Sequence, residues 1–391
     1  MSMIIAIDGS RAFLKRRTGI EEYSYQVIKH LRTELSDARV VLYIRADQGV
    51  DFDLPANWCV KKLWAPRFWT QIRLSFEMLV NRPDTLFVPA HTVPLIHPVN
   101  TAVVIHGLEY EFCPKAYSLW GRLSMRMAIK FSCRVAKHVI CVSENTKKDV
   151  MRLYGTPEEK ITVIYEGYEN SLASGSEKKS EFLPSNQETR VVSVLGQQDS
   201  DFFSDPDGKS FDLSITPYFL FIGRLEERKN VVRFIEAFEM LKEKYALPHV
   251  LVLAGKPGYG YDSVQAKIVA SAYKKDIIEL GYISEEEKWR LLKHAEGFLF
   301  ATLYEGFGIP VLEAQSVGVP VITSDNSSLP EVAGEGALLV DPENTEAIME
   351  AMHSLVSDNG LKSDILKKAS ENVRRFSWVQ CAKEIGSLLM R

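Results

Sequence analysis

What this sequence lacks sets its first limits. No stretch of its 391 residues approaches the roughly 18 consecutive apolar residues of a membrane-spanning helix. The opening "MSMIIAIDGSRAF" has a short apolar run with no basic preface, so it reads as a first strand and not as a secretory signal. The five cysteines (Cys59, Cys113, Cys133, Cys141, Cys381) are odd in number, scattered and without a CxxC pair. That pattern speaks against a zinc site and suits free thiols in a reducing compartment. A cytoplasmic protein is therefore expected. A net charge of −4 argues against a nucleic-acid binder driven by overall charge. Nucleotide and hydrolase fingerprints are missing too. "GKPGYG" (255–260) fits neither G-x-G-x-x-G nor a P-loop, and no G-x-S-x-G is present. "DFD" (51–53) and "DPD" (205–207) match a D-x-D metal pattern, but matches of that length are common, and no metal site is expected. No repeat of 20–50 residues is visible.

What is present is alternation. The strand-like runs are "MIIAI" (3–7), "RVVLYI" (39–44), "TLFV" (85–88), "TAVVI" (101–105), "HVICV" (138–142) and "ITVIY" (161–165). Helix-like segments lie between several of them, at 20–35, 67–80, 117–137 and 145–154. Thr18 with Glu21 fits a capping box for the first. Val- and Ile-rich strands alternating with helices predict a parallel sheet covered on both faces. The pattern breaks at 169–216, where "SGSEKKSEFLPSNQE" and "QQDSDFFSDPDGKS" read as a linker with a largely disordered insertion; "VVSVL" (191–195) is a candidate strand within it. Alternation then resumes with strands at 218–222, 249–254, 276–280, 297–301, 320–323 and 337–340. Helices are expected near 230–245, 262–273, 284–294, 310–317 and 344–357. The expectation is an α/β chain of two doubly wound Rossmann-like domains facing an interdomain cleft, with ligand sites at the carboxyl ends of the strands.

The candidate site residues cluster at those strand ends. In "LYEGFGIPVLEAQ", Gly306 and Gly308 permit close backbone approach, and Pro310 suits a first helical turn, which places Glu313 in the opening turn. Free N–H groups at a helix start favour oxygen-rich anions. Glu305 and Glu313 would repel a phosphate but would accept hydrogen bonds from sugar hydroxyls. In "YFLFIGRLEERKN", a strand ends at Gly223, Asn230 is placed to cap the next helix, and Arg224 and Lys229 could grip a diphosphate. Taken alone, the stretch reads as readily as a solvated turn, with Glu226, Glu227 and Arg228 in support. His106 in "VVIHGLEYEF" follows a strand directly, and Gly19 in "RRTGIEEYS" opens a capped helix. Finally, 115–137 holds six basic residues and no acidic one. Arg122, Arg126, Lys130 and Arg134 share one helical face, while Trp120, Leu123, Met127, Phe131 and Val135 form an apolar stripe. The plain reading is a helix packed through that stripe; the alternative is peripheral contact with an anionic membrane.

These segments resemble the GT-B-fold retaining glycosyltransferases of the family 4 (glycosyl transferases group 1) type, and the wording of "RKN" and "YEGFGIPVLEA" is similar to mannosyltransferases of surface-polysaccharide pathways. The match is densest over 218–380, with the Glu305–Glu313 spacing its most specific mark. The resemblance implies an N-terminal acceptor domain (1–168), a linker (169–216), a C-terminal nucleotide-sugar donor domain (217–375) and a terminal helix (376–391) crossing back to the first domain. It implies that Arg224 and Lys229 bind the donor's diphosphate, with Gly223 beside them. Glu313 would hold the ribose. Glu305 and the backbone of Gly306, Phe307, Gly308 and Ile309 would hold the transferred sugar. His106 would sit by the sugar, and Gly19 would line the donor pocket. The implied activity is retaining, metal-independent transfer of a hexose from a GDP- or UDP-sugar, GDP-mannose favoured, to a glycan or lipid-linked glycan. It needs no cofactor and no nucleic-acid partner. The alternatives are another GT-B enzyme, a glycosyl phosphorylase or nucleotide-sugar epimerase, or a catalytically silent binding scaffold. The chain departs from many relatives in carrying Glu21 and Glu22 after Gly19.

Overall fold

A computed structural model describes residues 3–15, 17–64, 69–168, 202–204, 210–212 and 215–391. It divides into two units, Met1–Tyr168 with Phe376–Arg391, and Glu169–Arg375. "VVSVL" (191–195) and "DPD" (205–207) lie outside the described residues.

The first unit is built on β1 (Ile4–Asp8), β2 (Arg39–Arg45), β3 (Trp58–Leu63), β4 (Thr85–Val88), β5 (Asn100–Ile105), β6 (His138–Cys141) and β7 (Ile161–Val163). They pair in parallel in the order β3-β2-β1-β4-β5-β6-β7, doubly wound outward from β1. The central strands read as near-continuous apolar runs because helices cover both faces. These helices are α1 (Gly19–Glu34), α2 (Ser75–Asn81), α3 (Glu109–Phe112), α4 (Leu119–Val135) and α5 (Glu144–Tyr154). Strand β3 was not foreseen, because Lys61 and Lys62 hide its apolar ends, Trp58 and Leu63, which are buried. The helix expected over 67–80 instead opens as a wider π-type turn, Trp69–Leu74, before α2. The capping box at α1 is present, with the Thr18 N–H donating to Glu21 at 3.1 Å. Glu21 also pairs with Arg11 at 3.2 Å, and Glu22 with Arg17 at 2.7 Å, so both departing glutamates are held by arginines of their own loop.

Helix α4 corrects the expectation for 115–137. Its buried residues are Ile129, Ser132 and Cys133, while Trp120, Leu123 and Met127 of the expected packing stripe are exposed.

In the second unit, β10 (Tyr218–Ile222), β11 (Val250–Ala254), β12 (Ile277–Gly281), β13 (Gly297–Phe300), β14 (Val321–Ser324) and β15 (Leu338–Val340) form a parallel sheet in the order β12-β11-β10-β13-β14-β15. The helices around it are α6 (Val231–Tyr245), α7 (Tyr261–Ala270), α8 (Glu285–His294), α9 (Ile309–Ser316), α10 (Leu329–Ala333), α11 (Thr345–Ser357) and α12 (Asn359–Asn372). One core joins the sheet to its helices through Phe219, Phe221, Phe234, Phe238, Trp289 and Phe298. The stretch read as a linker also contributes an antiparallel pair, β8 (Phe202–Ser204) and β9 (Ser210–Asp212), and Phe203 joins that core.

The last helix, α13 (Trp378–Leu389), belongs to the first unit and lies along α1. Gly167 makes its start possible, since a Cβ there would fall 2.2 Å from the Trp378 backbone nitrogen. Gly167→Ala should therefore lower stability by about 1–3 kcal/mol, the usual range for overpacking, whereas Gly49→Ala, with nothing within 4 Å, should not. Urea unfolding of both variants checks this.

Candidate active site

Two loops leave the carboxyl ends of the neighbouring strands β10 and β13, and their backbones are tied together. The Leu303 N–H donates to the Arg228 carbonyl at 2.9 Å. Asn230 adds a second tie. It occupies the N-cap position of α6 with a left-handed φ of 63°, but its side chain does not cap the helix. Instead Nδ2 donates to the Ala301 and Pro342 carbonyls at 2.9 and 2.7 Å, which corrects the capping role expected for it. A third segment, after β14, supports the 301–308 loop from below. The Ser327 hydroxyl accepts the Glu305 N–H at 3.2 Å, and the Ser328 hydroxyl lies 3.0 and 2.6 Å from the Glu305 and Phe307 carbonyls, which share its proton. Ser327 does so at a φ of 51°, an uncommon backbone state for a non-glycine residue. Gly308, at a φ of 119°, precedes α9, where a Cβ would meet Leu329 at 2.7 Å. A side chain there would be strained by the backbone and would crowd Leu329.

Into this frame the sequence places a ladder of buried charge. Glu305 Oε1 accepts from Lys229 Nζ at 2.6 Å and from Arg228 Nη1 at 2.9 Å. Arg228 continues to the Tyr304 carbonyl at 2.8 Å and to Glu226 at 2.9 Å. The Lys229 ammonium lies 4.8 Å from the centre of the Phe300 ring. Burial alone would favour neutral forms. At Glu305 burial is outweighed by Arg228 and Lys229, and its carboxyl is held below the usual range. At Lys229 burial, aided by Arg228, prevails over the attraction of Glu305 and lowers the ammonium from its ordinary value. Lys229 is thus a cation held with little water around it.

Among the expected site residues, the structure brings Lys229 and Glu305 into direct contact and sets Gly306, Phe307, Gly308 and Ile309 on the same loop and helix start. Arg224 sits one residue beyond Gly223 with its side chain mostly exposed, 3.6 Å from Glu226. Arg228, read as support for a solvated turn, instead turns inward and bridges two carboxylates. Its sequence neighbours are all charged, so nothing local distinguished it. Glu313 does not lie in the opening turn. Helix α9 begins at Ile309, and Glu313 pairs with Lys288 of α8 at 2.7 Å. Burial works against the charge of Lys288, but Glu313 and Glu285 raise it above its ordinary value. Gly223 donates its N–H to the Ala254 carbonyl at 2.9 Å.

In the first unit, His106 follows β5 and is buried. Its Nε2 donates to the Pro89 carbonyl at 2.8 Å, and Nδ1 lies 3.2 Å from Glu166 Oε1. Tyr23 of α1 stands edge-on to the ring at 4.5 Å and is itself 5.7 Å from Trp378 of α13. Glu166 was not foreseen. The available signal was its place just past β7, the same edge that singled out His106. Gly19 opens α1 with nothing near its missing Cβ.

Lys229→Met leaves Glu305 with Arg228 alone, and should destabilise the fold by about 1–3 kcal/mol. The double variant Lys229→Met/Glu305→Gln should cost less than the sum of the singles. The Glu305 carboxyl is depressed, so its stabilisation is present above the ordinary value of 4.5 and is lost as pH falls through the lower folded value. The stability gap between the native chain and Glu305→Gln should accordingly close on acidification, as read by denaturant titrations at several pH values.

The family model described as Glycosyltransferase Family 4 matches residues 17–171, and that described as Glycosyl transferases group 1 matches residues 210–375. The chain is 27% identical over 291 residues to O-antigen chain mannosyltransferase B of Escherichia coli, covering 74% of this chain and 70% of that protein. It is 25% identical over 337 residues to the O-antigen chain mannosyltransferase RfbU of Salmonella typhimurium, covering 86% and 79%. Its fold is similar to that of a sucrose-phosphate synthase from Thermosynechococcus elongatus, with a TM-score of 0.70 at 16% identity over 99% of this chain and 98% of that one. It is also similar to Anabaena HepE in complex with UDP and glucose, with a TM-score of 0.67 at 14% identity over the whole of both chains. With both models matched in order, and with two parallel doubly wound sheets, the chain belongs to the GT-B glycosyltransferases of the family 4, group 1 type.

Proposed function

We propose that this glycosyltransferase moves a hexose, with retention of configuration and without a metal ion, from GDP-mannose to a glycan or lipid-linked glycan acceptor. The observation that carries the reading is the Lys229–Glu305–Arg228 cluster at the carboxyl ends of β10 and β13, beside the start of α9. As the sugar–phosphate bond breaks, negative charge grows on the leaving diphosphate. A cation already fixed and poorly hydrated at that point stabilises the transition state without reorganisation. Lys229 is such a cation, and Arg224 adds an exposed one. Together they supply the charge that a metal would otherwise bring. The N–H groups opening α9 favour the same anion.

In this reading Glu305 and the 306–309 backbone receive the sugar hydroxyls, Glu313 the ribose, and His106, held by Pro89 and Glu166, acts on the sugar. Gly19 lines the donor pocket and Gly223 lets the diphosphate approach. The mannosyltransferase names of the two O-antigen relatives support mannose as the sugar and a surface glycan as the acceptor. The neighbour that binds UDP and glucose keeps UDP-sugars in the test. No described helix is long and apolar enough to cross a membrane, and the reading includes peripheral contact with an anionic membrane through 115–137.

A panel of nucleotide sugars, scored by thermal shift and by release of nucleoside diphosphate, tests the proposal. GDP-mannose should give the largest response. Lys229→Ala should cut kcat/KM about 100-fold or more, the scale for loss of one preplaced electrostatic donor, and Glu313→Ala should act mainly through KM. Unchanged rates in both variants would remove the site.

A further inference from the structure

We infer that α2 and α4 of the first unit together form a docking face for an anionic phospholipid bilayer, held by inserted apolar side chains as well as by charge. This deepens the membrane contact included in the proposed function and does not depend on the identity of the donor.

The two helices lie on the same side of the first sheet. Leu74 and Met78, around the start of α2, and Ile129 and Cys133 of α4 are buried in one cluster with the strands. The segment between them stitches the helices together, with the Val93 N–H donating to Ser132 at 2.9 Å and the Ile96 N–H to Ser75 at 3.3 Å. Their opposite faces therefore form the outer surface on that side, and it is apolar. On α4 Leu119 is 84% exposed and Trp120 82%, with Leu123 and Met127 continuing the stripe. On the α2 side Ile72, Phe76, Leu79 and Val80 are exposed, and Leu95 and Ile96 stand next to them. Clustered exposure of large apolar side chains on two helices of one side marks a candidate binding face.

The charge on this surface identifies the partner. Residues 69–82 contain one carboxylate, Glu77, and 114–137 contain none. The side chain of Glu77 is 4% exposed and held by Arg73 at 2.7 Å. Glu111, just before α4, is 5% exposed and takes Arg122 at 3.3 Å and Arg126. The hydrogen-bonded Arg126 guanidinium keeps the Glu111 carboxyl below its usual range in spite of burial. What reaches the outside is aromatic, aliphatic and cationic: Lys130 and Arg134 continue the exposed face of α4, and Lys115 precedes it. A cavity of about 230 Å³ lined by Glu111, Arg126, Lys130, Leu153 and Tyr154 lies beside them. Exposed aromatics with cations alongside, and carboxylates withdrawn below, match an anionic lipid interface better than a neutral one. Arg126 belongs to an internal pair, so the apolar residues are the cleaner target.

The test is cosedimentation of the full chain with vesicles of phosphatidylcholine alone or mixed with phosphatidylglycerol. Two variants accompany it: Phe76→Ser/Leu119→Ser/Trp120→Ser, and Lys130→Glu/Arg134→Glu. All five positions are exposed, and thermal unfolding should show both variants folded. The native chain should sediment with the anionic vesicles and weakly with the neutral ones, and each variant should lose about five-fold or more of the bound fraction. No binding by the native chain, or equal binding by native chain and variants, would overturn the inference. So would a lipid-free dimer, seen by light scattering, that the triple variant abolishes, since the face would then belong to a second copy. The thermal shift with nucleoside diphosphate should be the same in the triple variant and the native chain. A native chain that shows the nucleotide shift but does not dock counts against this inference alone, and a native chain that docks without any nucleotide shift counts against the donor reading alone.

Discussion

A carboxylate withdrawn from water has to be neutralised by something close, and Glu305 is such a carboxylate. Its burial is tolerable because Lys229 and Arg228 meet the same oxygen. Those two residues reach it only because the loop after β10 is tied to the loop after β13 through Leu303, Arg228 and Asn230. Removing one partner leaves a buried charge without its counterion, so the loops, the strand ends and the ion pairs stand or fall together. The serines after β14 extend this dependence to a third strand.

The same constraint links fold to chemistry. In a parallel sheet every strand delivers its following loop to one edge. Adjacent strands from distant parts of the sequence thereby bring Lys229 and Glu305 within 2.6 Å. The chain Glu226–Arg228–Glu305–Lys229 alternates in sign and balances itself. A diphosphate arriving beside it would draw on cations whose positions are already fixed, and the exposed Arg224 could close over it. Pre-positioning of this kind, and not a nucleophile, is what the proposed transfer asks of the protein.

Most of the architecture was legible because apolar runs of four to six residues alternate with helix-length amphipathic segments. Thr85–Val88 and Tyr218–Ile222 fall where the residues put them. Loss of signal had physical causes. Strand β3 buries only its two ends and carries Lys61 and Lys62 between them, and α12 is polar over most of its length. Glu305 and Lys229 were legible from glycine-bearing loops at strand ends. Their partner Arg228 was not, since an arginine among charged residues carries no mark of the direction it faces. Glu313 lies beyond the first turn because α9 begins at Ile309, and its partner Lys288 comes from α8, a tertiary contact that no local pattern announces. Helix α4 was misread because an apolar stripe names a face to be covered without naming what covers it. The fold buries the Ile129–Cys133 side and leaves Trp120 outside.

The central claim is that the strand-end cluster receives a diphosphate. It is tested most directly by a crystal structure of the chain with a nucleoside diphosphate sugar. The account predicts phosphate oxygens within hydrogen-bond distance of Lys229 Nζ and of the N–H groups opening α9. A nucleotide bound away from residues 223–230 and 301–309 would contradict it.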